Sequence, residues 1–230
     1  MKIITIIPAR GGSKSLPKKN ILSLNGKPLL CYSVDYSLRS ELVTSTVVST
    51  DSKEIADIAK SSGASVPFLR PSKYARDDTR DYPVIRHALD FFEDQGQIFD
   101  FYVLLRPTSP LRPSGLIEKA FEILEDNIDA TSVRSMARIK EHPYRVWRQN
   151  DDKSVCGFIK TEVEPYNMPR QELPELLFQT GDIEVIRRKT LINGSISGEC
   201  VYPLIIDHAD MIDIDSQSDF DRAEKSNADR

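Results

Sequence analysis

Apolar runs of strand length alternate with apolar stripes at helical spacing along the first half of the chain. Ile3-Ile4-Thr5-Ile6-Ile7 reads as a buried strand. Leu30, Val34 and Leu38 then share one face of a helix, and Val43 to Thr50 forms a second strand with Val47 and Val48 buried. Asp51-Ser52-Lys53-Glu54 resembles a capping box that opens a helix through Ile55, Ile58 and Ala59. Ser65 to Leu69 reads as a short strand, Ile85, Ala88, Leu89 and Phe92 as a helix face, and Phe101 to Leu105 as a strand. Leu116, Ile117, Ala120, Phe121 and Leu124 mark a further amphipathic helix. Such alternation predicts an α/β fold with a doubly wound, parallel sheet, whose ligands sit at the carboxyl ends of the strands.

The rhythm breaks from Glu141 to about Gln179, a stretch that holds the only tryptophan, Trp147. It reads as an insertion of short strands that serves substrate binding or a dimer contact. Asp182 to Arg187 and Cys200 to Ile206 restore strands. Ser216-Gln217-Ser218-Asp219 resembles a second capping box at the start of the last helix, and the polar tail from Lys225 is expected to fray.

At 230 residues the chain fits one α/β domain with a small insertion. Its net charge of −4 argues against nucleic acid as the main partner, although a local site can still be cationic. Cys31, Cys156 and Cys200 are odd in number and lack C-x-x-C spacing, which points to a reducing compartment rather than a disulfide framework or zinc site. No signal peptide is evident, and no apolar run approaches the roughly 20 residues a membrane helix needs. A cytoplasmic protein is expected.

The first strand opens into Pro8-Ala9-Arg10-Gly11-Gly12-Ser13-Lys14, followed by Pro17-Lys18-Lys19-Asn20. Paired glycines let backbone N–H groups approach an anion, and Arg10, Lys14, Lys18 and Lys19 offer positive charge. That chemistry suits a nucleoside triphosphate or a sugar phosphate. The spacing is neither that of a P-loop nor that of the dinucleotide fingerprint. Asp213 and Asp215 alternate on an extended segment, so their carboxylates point the same way and suit Mg²⁺, although an acidic helix entry has the same pattern. Arg106-Pro107-Thr108-Ser109-Pro110-Leu111-Arg112 ends a strand, and Arg70, Asp78, Asp81 and Tyr82 form another polar loop. His87 lies beside an apolar helical stripe, His142 and His208 have no metal or base spacing, and Cys156 has no neighbouring base. A Ser or Cys hydrolase is therefore excluded.

These motifs together resemble the acylneuraminate cytidylyltransferases, also called CMP-sialic acid synthetases. The resemblance rests on Ile7 to Lys14 with Pro17-Lys18-Lys19-Asn20, then Val48-Ser49-Thr50-Asp51, Arg106 to Arg112, Lys140-Glu141-His142-Pro143, Arg170-Gln171-Glu172-Leu173-Pro174 and Asp213-Ile214-Asp215, in that order over nearly the whole chain. It implies a Rossmann-like, mostly parallel sheet of the nucleotide-diphospho-sugar transferase type, Mg²⁺ dependence and a homodimer. The implied reaction joins CTP to an acidic nine-carbon 2-keto sugar, gives a CMP-sugar and pyrophosphate, and feeds surface glycan synthesis.

The resemblance also implies residue roles. Arg10 and Lys19 hold the triphosphate, Asn20, Arg70 and Tyr82 contact the nucleotide, and Ala9, Gly11, Gly12 and Ser13 form the loop around it. Asp213 and Asp215 bind Mg²⁺, with Asp215 helping to deprotonate the attacking hydroxyl. Arg106, Thr108, Ser109, Lys140, Arg170 and Gln171 face the sugar. Three positions depart from the family pattern. Arg106 stands for a usual Gln and Thr180-Gly181-Asp182-Ile183-Glu184 for Asn-Gly-x-Ile-Tyr, both bearing on the acceptor sugar, and Asp81-Tyr82 stands for small hydroxyl residues of the base-side loop. Two other readings remain open at this point: transfer from another nucleotide such as GTP to a sugar 1-phosphate, and a non-catalytic nucleotide-sugar-binding protein.

Overall fold

The structure is a computed structural model that describes residues 1–13, 15–161, 163–208 and 211–228. Lys14, one of the loop cations expected above, lies outside the described residues. The strands are β1 (Ile3–Pro8), β2 (Ser23–Leu24), β3 (Lys27–Pro28), β4 (Ser45–Ser49), β5 (Phe101–Leu104), β6 (Ser132–Arg138), β7 (Trp147–Gln149), β8 (Val155–Gly157), β9 (Leu177–Arg187) and β10 (Val201–Ile205). The α-helices are α1 (Leu29–Leu38), α2 (Lys53–Ser61), α3 (Asp81–Glu93), α4 (Leu116–Asp126), α5 (Arg188–Ile192) and α6 (Gln217–Ala228).

β1 is buried on both faces because it lies inside a six-stranded sheet of order β10-β6-β9-β5-β1-β4. Its period-2 alternation separates two cores. Ile3 and Ile7 join residues of α1, α2 and α4 on one side, while Ile4 and Ile6 meet Ile85, Leu89 and Phe92 of α3 and Leu191 of α5 on the other. The result is a three-layer α/β/α sandwich.

The sheet is mixed rather than wholly parallel. β1 pairs in parallel with β4 and β5, and β6 with β10, but β9 runs antiparallel to both β5 and β6. The irregular segment after β6 returns the chain without a crossover helix, so the next strand must run back. Other expectations also change. Ser65 to Leu69 makes only two isolated bridges, Ser65 to Val47 of β4 and Leu69 to Thr50 just past it, since Pro67 within it has no N–H to donate. Leu38 ends α1 exposed. Ser52, not Asp51, caps α2, accepting from the Ile55 N–H. The second capping box forms reciprocally, with Asp219 Oδ2 accepting from the Ser216 N–H at 2.9 Å and the Asp219 N–H donating to Ser216 Oγ. α6 runs past Lys225 to Ala228.

A third, smaller core positions the site. Leu16, Leu24 and Leu29 pack with Leu111, Ile212, Ile214, Phe220 and Ala223. It clamps the loop after β1, the loop after β5 and the segment entering α6 into one unit. The three cysteines are free. Among the described residues no helix is long and apolar enough to cross a membrane.

Candidate active site

A cavity of about 500 Å³ opens at the carboxyl ends of β1 and β5. Arg10, Ser13, Ser15, Lys19 and Asn20 line one side, and Arg70, Tyr74, Arg76, Asp77, Thr79 and Asp81 another. Arg106, Pro107, Thr108 and Asp215 complete it.

The loop after β1 is held from beneath. The Asp51 carboxylate accepts the Gly11 N–H at 2.8 Å, so this donor is engaged by the protein rather than turned to the cavity. A Cβ at Gly11 would stand 3.0 Å from Ser52 Cβ, so close packing on α2 requires glycine here. Gly12 meets no such obstacle. Asn20 is buried, lines the cavity and donates from Nδ2 to the Arg10 carbonyl at 2.9 Å. Lys18 adopts a left-handed φ of 55° and turns to Glu54, outside the cavity.

Two cations of the cavity already hold carboxylates. Arg10 Nη1 meets Asp77 Oδ1 at 2.5 Å, and Lys19 Nζ meets Asp215 Oδ1 at 2.8 Å. Arg70 differs. It is only 5% exposed, and its Nε and Nη2 have no hydrogen-bond partner. Burial lowers its pKa, with Asp51 opposing. A buried, unmatched guanidinium lining a cavity awaits an acceptor from a ligand.

Ile212 and Ile214 are buried while Asp213 and Asp215 point outward, as the alternation predicted. The Ile214 N–H donates to the Thr108 carbonyl at 2.8 Å, which fixes the acidic segment to the loop after β5. Crowding by the surrounding protein raises the Asp213 pKa, a Thr108 hydrogen bond lowers it, and the Asp215 charge raises it again. Paired oxygen donors beside a cationic phosphate-type loop fit a hard divalent ion.

Several expected site residues stand elsewhere. Ala9 is buried, with its N–H bonded to the Ser49 carbonyl. The Tyr82 hydroxyl donates to the Leu191 carbonyl and does not line the cavity. Ser109 is buried beneath the loop after β5. Arg112, at the end of that motif, is an internal tie. It reaches Asp182 O at 2.5 Å, Ser33 Oγ at 2.9 Å and the Arg106 carbonyl, and burial takes its pKa down to about 10. Lys140 and Arg170 line a second cavity of about 580 Å³, which shares no residue with the first, and Gln171 lines neither. His142 staples that second cavity, accepting from the Tyr144 N–H and facing the Pro174 carbonyl.

A family model described as cytidylyltransferase matches residues 4–202. The chain belongs to the cytidylyltransferase family. It is 34% identical over 223 residues to an N-acylneuraminate cytidylyltransferase of Escherichia coli, an alignment covering 96% of this chain and 51% of that protein. It is 36% identical over 228 residues to a CMP-N,N'-diacetyllegionaminic acid synthase of Legionella pneumophila, covering 98% and 96%. The chain thus spans about half the length of the first relative and nearly all of the second. A solved CMP:2-keto-3-deoxy-manno-octonic acid synthetase complexed with CTP superposes with a TM-score of 0.72 at 18% identity, covering 100% of this chain and 99% of that one, and so shares the fold.

Sequence reading missed several residues of this cytidylyltransferase-family cavity, namely Ser15, Tyr74, Arg76, Asp77 and Thr79. Most belong to the loop before α3, which carries no apolar period and whose charges read as solvated. The signal was the sign mixture in Arg76-Asp77-Asp78-Thr79-Arg80, which supplies its own counter-charges.

Proposed function

We infer that the chain transfers the cytidylyl group of CTP to a sialic-acid-like nonulosonic acid, giving a CMP-sugar and pyrophosphate. The observation that carries this is a single cavity where Arg10, Lys19 and the unmatched Arg70 guanidinium meet, with Asp215 on its wall. The named relatives, an N-acylneuraminate cytidylyltransferase and a diacetyllegionaminic acid CMP synthase, support that acceptor class.

The residue types fit nucleotidyl transfer, which needs positioning and charge neutralisation rather than a protein nucleophile. The acceptor hydroxyl attacks the α-phosphorus, the bond to the bridging oxygen breaks, and pyrophosphate departs. Arg10 and Lys19 exchange their carboxylate partners for phosphate oxygens and stabilise the charge that builds on the leaving group. Arg70 orients the nucleotide by filling its vacant donors. Mg²⁺ would be held by Asp213 and Asp215, and supplies further neutralisation of the phosphates. Among the described residues no group of three or more His, Cys, Asp or Glu could hold a metal by itself. Asp215, once released from Lys19, accepts the hydroxyl proton.

The acidic sugar calls for a cation, and Lys140 and Arg170 lie in the second cavity. A homodimer supplies a route by which that cavity meets the first cavity of another copy. Exposed Trp147, Phe158, Phe178 and Ile205 on and beside the irregular segment are suited to such a contact. The free cysteines and the nucleotide substrate fit a cytoplasmic site of action.

The test is pyrophosphate release with Mg²⁺, pairing CTP, GTP, UTP and ATP with nonulosonic acids and sugar 1-phosphates. Release with CTP and a nonulosonic acid is expected. Release only with another nucleotide and a sugar 1-phosphate overturns the substrate assignment.

A further inference from the structure

Arg70 shares its wall of the cavity with a second unmatched group. His87 stands on α3, and its Nδ1 is buried with no hydrogen-bond partner among the described residues. Two rings hold the imidazole. Phe68 meets it edge-on with centroids 4.7 Å apart, and Tyr74 meets it tilted at 5.6 Å. Both rings belong to the segment that carries Arg70. Phe68 packs against the core beneath α3, and Arg70, two residues further along an extended stretch, shares that face, while Leu69 between them is exposed. Tyr74 and Arg70 both line the cavity and His87 does not, so these two side chains stand between it and a ligand.

The charges that act on His87 are mostly of one sign. Arg70 and Lys73 face it from the segment before α3, and Asp90 from its own helix. Asp90 is already engaged by Arg86 Nε at 2.7 Å. Burial lowers the His87 pKa first and Arg70 second, Asp90 raises it, and Lys73 lowers it again. Arg70 in turn has Asp51 and Asp81 favouring its charge and Arg10 opposing it. His87 is therefore neutral at neutral pH before a ligand binds. A polyanion that enters beside Arg70 reverses this balance. It offsets the guanidinium charge and adds a negative field of its own, and both favour the imidazolium.

We propose that nucleotide binding is coupled to proton uptake at His87, a positioning residue that acts on the bound nucleotide through Arg70. While neutral, His87 leaves the buried guanidinium as the one charge on that wall that meets an arriving anion. Once the phosphates are in place, its proton adds a second positive charge behind Arg70. Linkage is reciprocal, so CTP binds more tightly as pH falls through the His87 range. This rests on the nucleotide-binding reading above.

The test uses the full chain and CTP, with neither Mg²⁺ nor acceptor. Calorimetry in buffers of different ionisation enthalpy, at about pH 6.5, counts the protons taken up on binding. Histidine Cε1 proton resonances, followed by NMR against pH, give the titration midpoint of His87 with and without CTP. The resonance lost in H87Q assigns it, and H87F serves if H87Q does not fold. The midpoint is expected to rise with CTP, and proton uptake to be larger in the unmodified protein than in H87Q. From about pH 8 to about pH 6 the unmodified protein should gain about threefold more CTP affinity than H87Q, the worth of a screened charge pair across a half-open site. The γ-phosphate of CTP titrates in the same range, but equally in both proteins, so the difference reads His87. In R70Q the midpoint should rise before any CTP is added, because the charge that holds it down is gone. CTP binding with the His87 midpoint unmoved, proton uptake equal in H87Q, or a midpoint unchanged by R70Q would each overturn the proposal. No CTP binding at any pH is a failure of the nucleotide reading itself, and takes the proposal with it.

Discussion

Arg10→Ala separates the triphosphate reading of the first loop from a structural one. Arg10 and Asp77 form a 2.5 Å pair with side chains 31% and 42% exposed. A pair that open contributes about 0.5 kcal/mol, so its loss barely moves stability. Against a triphosphate the same guanidinium is expected to make a charge-assisted bond of about 2 kcal/mol, or about 30-fold in affinity. Asp77 competes for that guanidinium, so D77N should tighten CTP binding by about twofold, since it returns the cost of breaking the pair. Titration calorimetry with CTP, without acceptor, reads both variants and the double variant. The D77N gain should shrink when Arg10 is already alanine, and should fall as salt is raised. Arg10→Ala binding CTP within twofold of the unmodified chain would refute the reasoning, as would D77N weakening the complex.

Asp213→Ala should abolish Mg²⁺-dependent turnover and weaken Mn²⁺ binding in the presence of CTP by at least about tenfold, with Tm within about 2 °C because this outward-facing carboxylate carries little packing; unchanged Mn²⁺ binding by electron paramagnetic resonance would remove the metal assignment. Gly198→Ala should lower stability by about 3 kcal/mol, or roughly 10 °C in melting, because a Cβ there would stand 2.5 Å from both Thr131 Cβ and Oγ1 on a backbone at φ +71°. A melt unchanged from the parent would contradict that geometry. The His87 pKa is lowered, first by burial and next by Arg70, and its Nδ1 is buried without a partner. The unfolded chain therefore takes up the proton first as pH falls, so stability is full above about pH 6.5 and declines below it toward the folded-state pKa. H87F should flatten that part of the stability-against-pH curve, measured by urea unfolding, and an unaltered slope would assign it to other groups.

The strand–helix alternation of the first half was legible because local apolar period and tertiary burial agree there. Ile3 to Ile7 alternates between two cores, and α3 and α4 bury the residues their stripes marked. Direction was not legible in β9, whose apolar pattern is the same for parallel and antiparallel pairing, and which follows a segment without a crossover helix. The outward pair Asp213 and Asp215 was readable from its alternation with Ile212 and Ile214.

Residue types and local period by themselves determined a layered α/β chain, a cationic loop after the first strand and an acidic pair before the last helix. Only the tertiary structure decided which charges meet. Lys19 finds Asp215 across 196 residues, Arg10 finds Asp77 across 67, and Arg106 joins Asp81 to Glu184. It also showed that Arg112 is an internal tie and that Lys140 and Arg170 line a separate cavity. The physical reason is range. Helix and strand periods are set by neighbours a few residues away, whereas an ion pair needs only a few ångströms in space and leaves no trace in spacing along the chain.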